Sequence, residues 1–144
     1  MPPLSPLAPA GFPSLPRIAG VRFAVAEAGI RYKQRDDLLI VETAPKTQVA
    51  GVLTRSKTAS APIEWCRARL DKGQGRYLVA NAGNSNAFTG KAGVEAVKRT
   101  AAAAAKALGC KPTDVFIAST GTIGEPIKID RIEAAIPGAV AKLT

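Results

Sequence analysis

Two apolar runs in this chain end in turns of small hydroxyl, amide and glycine residues. One is I-A-S-T-G-T-I-G at residues 117–124. The other runs from residue 77 into N-A-G-N-S-N-A-F-T-G at residues 81–90. This pattern constrains the fold more than any other feature. A strand that exits through glycine and short hydroxyl residues leaves backbone N–H groups free beyond the sheet. Such donors can hold a phosphate or a developing oxyanion. Two such exits in one small chain point to a site made from backbone and amide dipoles rather than from metals or histidine.

Composition narrows the chemistry further. The chain has 144 residues, enough for one domain with a core, and its low aromatic content of 5% leaves Ala, Val, Ile and Leu to fill it. There is no histidine, which removes Ser-His and Cys-His nucleophile pairs from this chain. Two distant cysteines, Cys66 and Cys110, make neither a disulfide framework nor a four-ligand zinc site, so no metal is expected. No apolar run is long enough to span a bilayer, and the start lacks the pattern of a signal peptide; a reducing cytoplasm is the expected location and no membrane contact is expected. The net charge of +9 comes from 20 Lys and Arg against 11 Asp and Glu, scattered without blocks or interleaved aromatics. This reads as a solvated or partner-facing surface rather than a nucleic-acid footprint.

Residues 1–18 form a Pro-rich arm, with Pro2, Pro3, Pro6, Pro9, Pro13 and Pro16; it is expected to be extended or flexible. Residues 19–144 carry the periodic segments. Alternation over residues 21–27 predicts a half-buried strand, with Val21, Phe23 and Val25 set against Arg22, Ala24 and Ala26. Further strands are expected at 38–41, at 48–54 (with Gly51 marking a bulge), at 77–80 and at 115–118. A helix opens at Ser60-Ala61-Pro62, with Ile63, Cys66 and Leu70 on one face. A longer one covers residues 90–108, with Val94, Val97, Ala101, Ala104, Ala105 and Leu108 as its stripe and Gly109 as its stop. Asp130 and Glu133 are read as a capping box for a last helix carrying Ile129, Ile132, Ile136 and Val140, interrupted by Pro137. That pattern reaches Thr144 without a stop signal, so the chain is expected to be part of a longer polypeptide that completes its core.

Gly90-Lys91 is not a phosphate loop, because the spacing from Gly83 is too long and Ala92 replaces the magnesium-binding hydroxyl. The Gly121–Gly124 turn is too short for a dinucleotide fingerprint. Asp114, Glu125 and Asp130 look like turn and cap residues rather than a catalytic pair. Asn81, Asn84 and Asn86 fit two roles, local turn formation or ligand contact, and the first is the commoner. Ser119 and Thr120 divide similarly between bonding their own backbone and serving a ligand.

Four segments occur in order: V-A-G-V-L-T-R at 49–55, A-P-I-E-W-C-R at 61–67, N-A-G-N-S-N-A-F-T-G at 81–90 and S-T-G-T-I-G-E-P at 119–126. Together they resemble the ornithine acetyltransferase family, also called bifunctional glutamate N-acetyltransferase, over about residues 19–144. The chain departs from the family pattern at Ser85, Phe88 and Thr122, where Ala, Cys and Val are usual. The resemblance implies a layered α-β-β-α sandwich completed by a second chain. It implies a precursor that cuts itself before an internal threonine, and an α2β2 heterotetramer of the products. The new N-terminal threonine of the β chain would move acetyl from N2-acetylornithine to glutamate through an acetyl-threonine intermediate in arginine biosynthesis. Some members also accept acetyl-CoA, and no further cofactor is implied. A threonine with a free α-amine carries its own base, so no histidine is required. Thr120 and Gly121 take the place of the oxyanion hole, through the Thr120 hydroxyl or N–H and the Gly121 N–H. No counterpart of the cleavage threonine is found before Thr144, so this polypeptide alone is expected to be inactive. Two readings stand against this one: a non-catalytic basic module that binds an anion or RNA, and a related self-processing aminopeptidase.

Overall fold

The computed structural model describes residues 5–144; Pro2 and Pro3 of the arm lie outside them. Residues 5–18 hold no helix or strand, and Leu7, Phe12 and Leu15 are exposed. From there the chain forms one four-stranded sheet and three helices. The strands are β1 (Val21–Ala26), β2 (Leu38–Thr43), β3 (Tyr77–Asn81) and β4 (Val115–Ser119). The helices are α1 (Ala61–Leu70), α2 (Gly90–Leu108) and α3 (Ile129–Val140). The sheet order is β1-β2-β3-β4, with β1, β2 and β3 antiparallel in turn and β4 parallel to β3. The chain between β3 and β4 is the crossover that a parallel pair needs, and α2 fills it.

The core lies between one face of the sheet and the pair α2/α3. Leu38, Ile40, Val79, Val115 and Ile117 from the strands meet Val97, Ala101, Ala104, Ile132, Ile136 and Ala139 from the helices. The alanines of α2 keep the helix thin, which lets it approach the sheet closely. Gly109 ends α2 at φ +66, its N–H donating to the Ala105 carbonyl, a left-handed cap that glycine adopts without strain.

Four expectations are corrected. First, β1 buries its alanine side, with Ala24 inside, while Val21, Phe23 and Val25 point outward at 37, 59 and 46% exposure. Small residues are what let α3 pack over this strand. Second, residues 48–54 form no strand. Gln48 makes one isolated bridge to Gln74, and neither sheet edge is open to the segment. The Trp65 Nε1–H and Cys66 S–H of α1 donate to the outer carbonyls of Val115 and Ile117 along β4. Thr144 exchanges both backbone bonds with Phe23 along β1. Both devices protect sheet edges. Third, Lys128 rather than Asp130 occupies the N-cap of α3. Asp130 and Glu133 instead grip Arg99 of α2, at 2.6 Å and 2.5 Å from its Nη2. Pro137 sits inside α3 without ending it. Fourth, Val94 of α2 is 47% exposed, and Gly93, Ala96 and Thr100 are buried in the stripe instead.

The opposite face of the sheet carries Phe23, Val25, Leu39, Val41, Leu78, Ala80, Phe116 and Ala118, none of them buried. No helix among the described residues is long and apolar enough to cross a membrane.

Candidate functional site

Because β3 and β4 are parallel and paired Asn81 to Ser119, their two glycine turns leave from the same end of the sheet. β2 runs the other way, and its first residue pairs with Asn81, so the loop ahead of it reaches that end too. Three loops distant in sequence therefore meet at one place.

The turns after β3 and β4 are interlocked. The Thr120 N–H donates to the Asn81 carbonyl at 3.0 Å, and the Thr122 N–H to the Gly83 carbonyl at 3.3 Å. The N–H and hydroxyl of Ser85 both donate to the Thr122 carbonyl at 2.9 Å, and the Gly124 N–H to the Ala87 carbonyl at 2.9 Å. Gly121, at φ +129, crosses directly over the Gly83–Asn84 peptide; a Cβ there would lie 2.4 Å from the Gly83 carbonyl carbon and 2.6 Å from the Asn84 nitrogen. Only glycine fits so close an approach of two backbones.

The three asparagines are buried: Asn81 at 7%, Asn84 at 5% and Asn86 at 2% exposure. The Asn81 Nδ2 donates to the Asn84 carbonyl at 2.9 Å, and its Oδ1 accepts from the Ser119 hydroxyl at 2.7 Å. The Asn84 Nδ2 donates to the Glu125 carbonyl at 3.0 Å, and its Oδ1 accepts from the Asn86 N–H at 2.8 Å. The Asn86 Nδ2 donates to Gly93 in α2 at 2.8 Å, and its Oδ1 accepts from the Thr89 hydroxyl at 2.7 Å. Every amide end has a partner, so their surroundings match the turn-forming role.

Thr120 and Gly121 sit at the exposed tip of this lattice. With its N–H committed to Asn81, Thr120 retains only its hydroxyl as a free donor. Neither that hydroxyl nor the Gly121 N–H makes a hydrogen bond among the described residues. A concavity of about 210 Å³ adjoins Thr120, lined also by Asn81, Ala80, Leu39 and Val25 among others; Gly121 follows Thr120 in the chain but does not line it. A roomier cleft of about 620 Å³, lined by Asn86, Phe88, Lys91 and Lys98 among others, includes neither Thr120 nor Gly121. Thr120 edges the smaller hollow alone.

Two contributors were not picked out from the sequence. One is Asp37, immediately ahead of β2. Its carboxylate, 6% exposed, accepts the N–H groups of Ala28 at 2.6 Å, Gly29 at 3.3 Å and Ile30 at 2.7 Å. Its own carbonyl takes the Ala82 N–H. Arg31 then reaches Glu125 at 2.8 Å, tying that loop to the β4 turn. A hydrogen bond with Tyr32 and the charge of Glu125 push the Arg31 pKa further above its ordinary range. An acidic residue just ahead of an apolar strand was the available signal for Asp37. The Arg31–Glu125 pair, 94 residues apart, left none.

Of the family departures, Ser85 adds a hydrogen bond to the turn, Thr122 uses its backbone on both sides, and Phe88 is 70% exposed. None takes away a donor at Thr120 or Gly121. Behind β4, burial raises the Cys66 thiol pKa above its ordinary value, and the neighbouring Arg69 guanidinium is lowered by desolvation. Part of the positive charge is internally committed. Arg22 and Arg76 share Glu42, Arg99 holds Asp130 and Glu133, and Arg69 stacks on Trp65 at 3.1 Å. No group of three or more His, Cys, Asp or Glu side chains among the described residues could hold a metal.

Residues 22–144 match the ArgJ family. The arginine biosynthesis bifunctional protein ArgJ of Bradyrhizobium diazoefficiens is 54% identical over 133 residues, 92% of this chain and 32% of its own length. Its namesake in Nitrobacter winogradskyi is 56% identical over 137 residues, 92% of this chain and 33% of its length. The chain thus spans about a third of these curated relatives. Among solved structures, an ornithine acetyltransferase of Mycobacterium tuberculosis complexed with ornithine superposes with a TM-score of 0.84 at 34% identity, covering 88% of this chain and 68% of that one. An arginine biosynthesis bifunctional protein of Bacillus halodurans gives 0.77 at 27%, covering 83% and 62%.

Proposed function

The chain belongs to the ArgJ family, and on that premise we propose that it is the α-chain part of an acetyltransferase of arginine biosynthesis, moving acetyl from N2-acetylornithine to glutamate. The nucleophile is a threonine exposed by self-cleavage in the remainder of the protein. This chain contributes the oxyanion donors, the Thr120 hydroxyl and the Gly121 N–H.

The observation that carries this reading is the pair of unpartnered donors on a turn where the N–H groups on either side of Gly121, those of Thr120 and Thr122, are taken. In the reaction, the threonine hydroxyl attacks the acetyl carbonyl carbon and passes its proton to the threonine's own α-amine. The carbonyl π electrons move onto oxygen, and the resulting oxyanion is met by the two donors. Collapse expels the ornithine amine, which takes the proton. The glutamate amine then attacks the acetyl-threonine ester through the same kind of intermediate. Donors fixed in advance cost no reorganisation at the moment charge develops, which is why one of them typically contributes about 10²–10³ in turnover.

The outward apolar face of the sheet, exposed at Phe23, Val25 and Ala118, supports the expected layered sandwich, with a second β layer supplied by the other chain. A partner carrying the leading threonine accounts for donors that this chain does not itself use. Thr120→Ala in the complete protein is the test. Acetyl transfer and self-cleavage should both slow, with turnover down by about a hundredfold or more. Unchanged kinetics in that variant would remove Thr120 from the mechanism.

A further inference from the structure

We propose that Asn81 and Asn84 are positioning residues, whose buried side chains clamp the β4 turn at both ends so that the Thr120 and Gly121 donors stay aimed at the developing oxyanion. The proposal rests on the oxyanion reading above.

A donor on a glycine turn is useful only if the turn is stiff, and glycine makes turns soft. β3 and β4 end side by side, but strand pairing stops at Asn81 and Ser119. Beyond that point the turns are held by a few backbone bonds and by buried side chains. Asn81 controls the near end. Its carbonyl takes the Thr120 N–H at 3.0 Å and its Oδ1 takes the Ser119 hydroxyl at 2.7 Å. These two bonds fix the peptide that leads into Gly121. Asn84 controls the far end, its Nδ2 reaching the Glu125 carbonyl at 3.0 Å. The Asn81 Nδ2 joins the two clamps through the Asn84 carbonyl at 2.9 Å. Gly121 lies between them, pressed onto the Gly83–Asn84 peptide. The Thr120 and Thr122 N–H groups are both taken while the Gly121 N–H between them is not.

The chemistry explains why both positions carry amides. Each side chain must donate at one end and accept at the other, in a nearly water-free setting. A carboxylate supplies no donor and an alkyl group supplies neither. An unmet partner left behind is costly there, so the network holds one arrangement rather than several.

The test uses the complete protein and steady-state acetyl transfer from N2-acetylornithine to glutamate, with rates counted per self-cleaved molecule. Asn84→Asp keeps the bond from the Asn86 N–H and deletes the one to the Glu125 carbonyl. Its kcat should fall about tenfold to a hundredfold, with KM within about twofold. Ser119→Ala, a milder change that removes the bond to Asn81, should lower kcat about three- to tenfold. Each is then combined with Thr120→Ala. Groups acting through one oxyanion hole are non-additive, so the double variants should lose less than the product of the single losses. Multiplicative losses, a change confined to KM, or wild-type kcat in folded variants would overturn the positioning role while leaving the oxyanion reading intact. A wild-type rate for Thr120→Ala alone would sink that reading, and this proposal with it. Should Asn84→Asp not accumulate as folded protein, Ser119→Ala and its double variant decide the question.

Discussion

Replacing Gly121 by alanine tests the site at its tightest point. The new Cβ would meet the Gly83 carbonyl carbon at 2.4 Å, the Asn84 nitrogen at 2.6 Å and the Gly83 Cα at 2.8 Å. All three are backbone atoms, so no rotamer change relieves the contact. The closest falls about 1 Å short of the ~3.5 Å optimum for non-bonded atoms, and the turn must lift by about that much. The residue would also keep φ near +129, a region that costs a non-glycine residue about 1–3 kcal/mol. Overpacking against fixed backbone adds about 1–3 kcal/mol. The sum, about 2–6 kcal/mol, is a large share of the ~5–15 kcal/mol that holds a domain folded. A donor displaced by about 1 Å can cost about a hundredfold in rate by itself. Urea unfolding and single-turnover acetyl transfer of the complete protein should therefore both show large losses. Gly124→Ala is the control. Gly124 also has positive φ, +83, but no atom lies within 4 Å of its Cβ position, so strain alone remains and turnover should change little. If Gly121→Ala unfolded at the same urea concentration as Gly124→Ala and kept wild-type turnover, the close crossing of the two turns would not hold in solution.

Asp37→Asn preserves shape but turns an NH2 toward backbone N–H groups that the carboxylate now accepts. A loss of about 3 kcal/mol in unfolding free energy is expected, and an unchanged urea midpoint would contradict the anchoring role. Burial holds the Cys66 thiol protonated above its ordinary value of 9.0. Its contribution to stability is therefore complete below about pH 9 and declines as pH rises through the higher folded value. Above pH 9 the wild type should lose stability more steeply than Cys66→Ala, and parallel curves would refute this. The outward sheet face, with Phe23 at 59% and Val25 at 46% exposure, predicts that the 144-residue chain by itself binds a hydrophobic dye strongly and the complete protein weakly. Equal binding would argue against a covering layer.

How much of this was legible in the sequence differs by element. Strands that alternate or form short apolar runs were found within a residue or two, and so was α2, because its apolar stripe and Gly109 stop are local signals. What failed was whatever depended on a distant partner. Asp130 and Glu133 have the spacing of a capping box, but Arg99, three decades of residues earlier, competes for both carboxylates and wins with several charge-assisted bonds. The 48–54 segment has strand-like composition, but the edges it would need are taken by α1 side chains and by Thr144. The face of β1 was ambiguous for a similar reason. Alternation says that a strand has two sides, and only the small residues needed beneath α3 say which is inward. At the site, glycine and hydroxyl residues announced donors, but which N–H stays free depended on the β3–β4 register.

That register also links the two halves of the functional reading. Side chains alternate along β4, so Phe116 and Ala118 belong to the outward face of the sheet, the face that α2 and α3 leave open, and Thr120 follows directly on the strand's end. The hollow beside Thr120 is walled by Val25, Leu39 and Ala80, all from that same face. Donors of this kind lose most of their effect in water, because solvent competes for the oxyanion and screens the dipoles. A layer laid over the apolar face would extend the wall of this hollow and exclude water from it. The cover that the sheet needs for stability and the dryness that the donors need for catalysis are then one requirement. On the reading proposed here, the same chain that supplies the attacking threonine also makes the oxyanion donors effective.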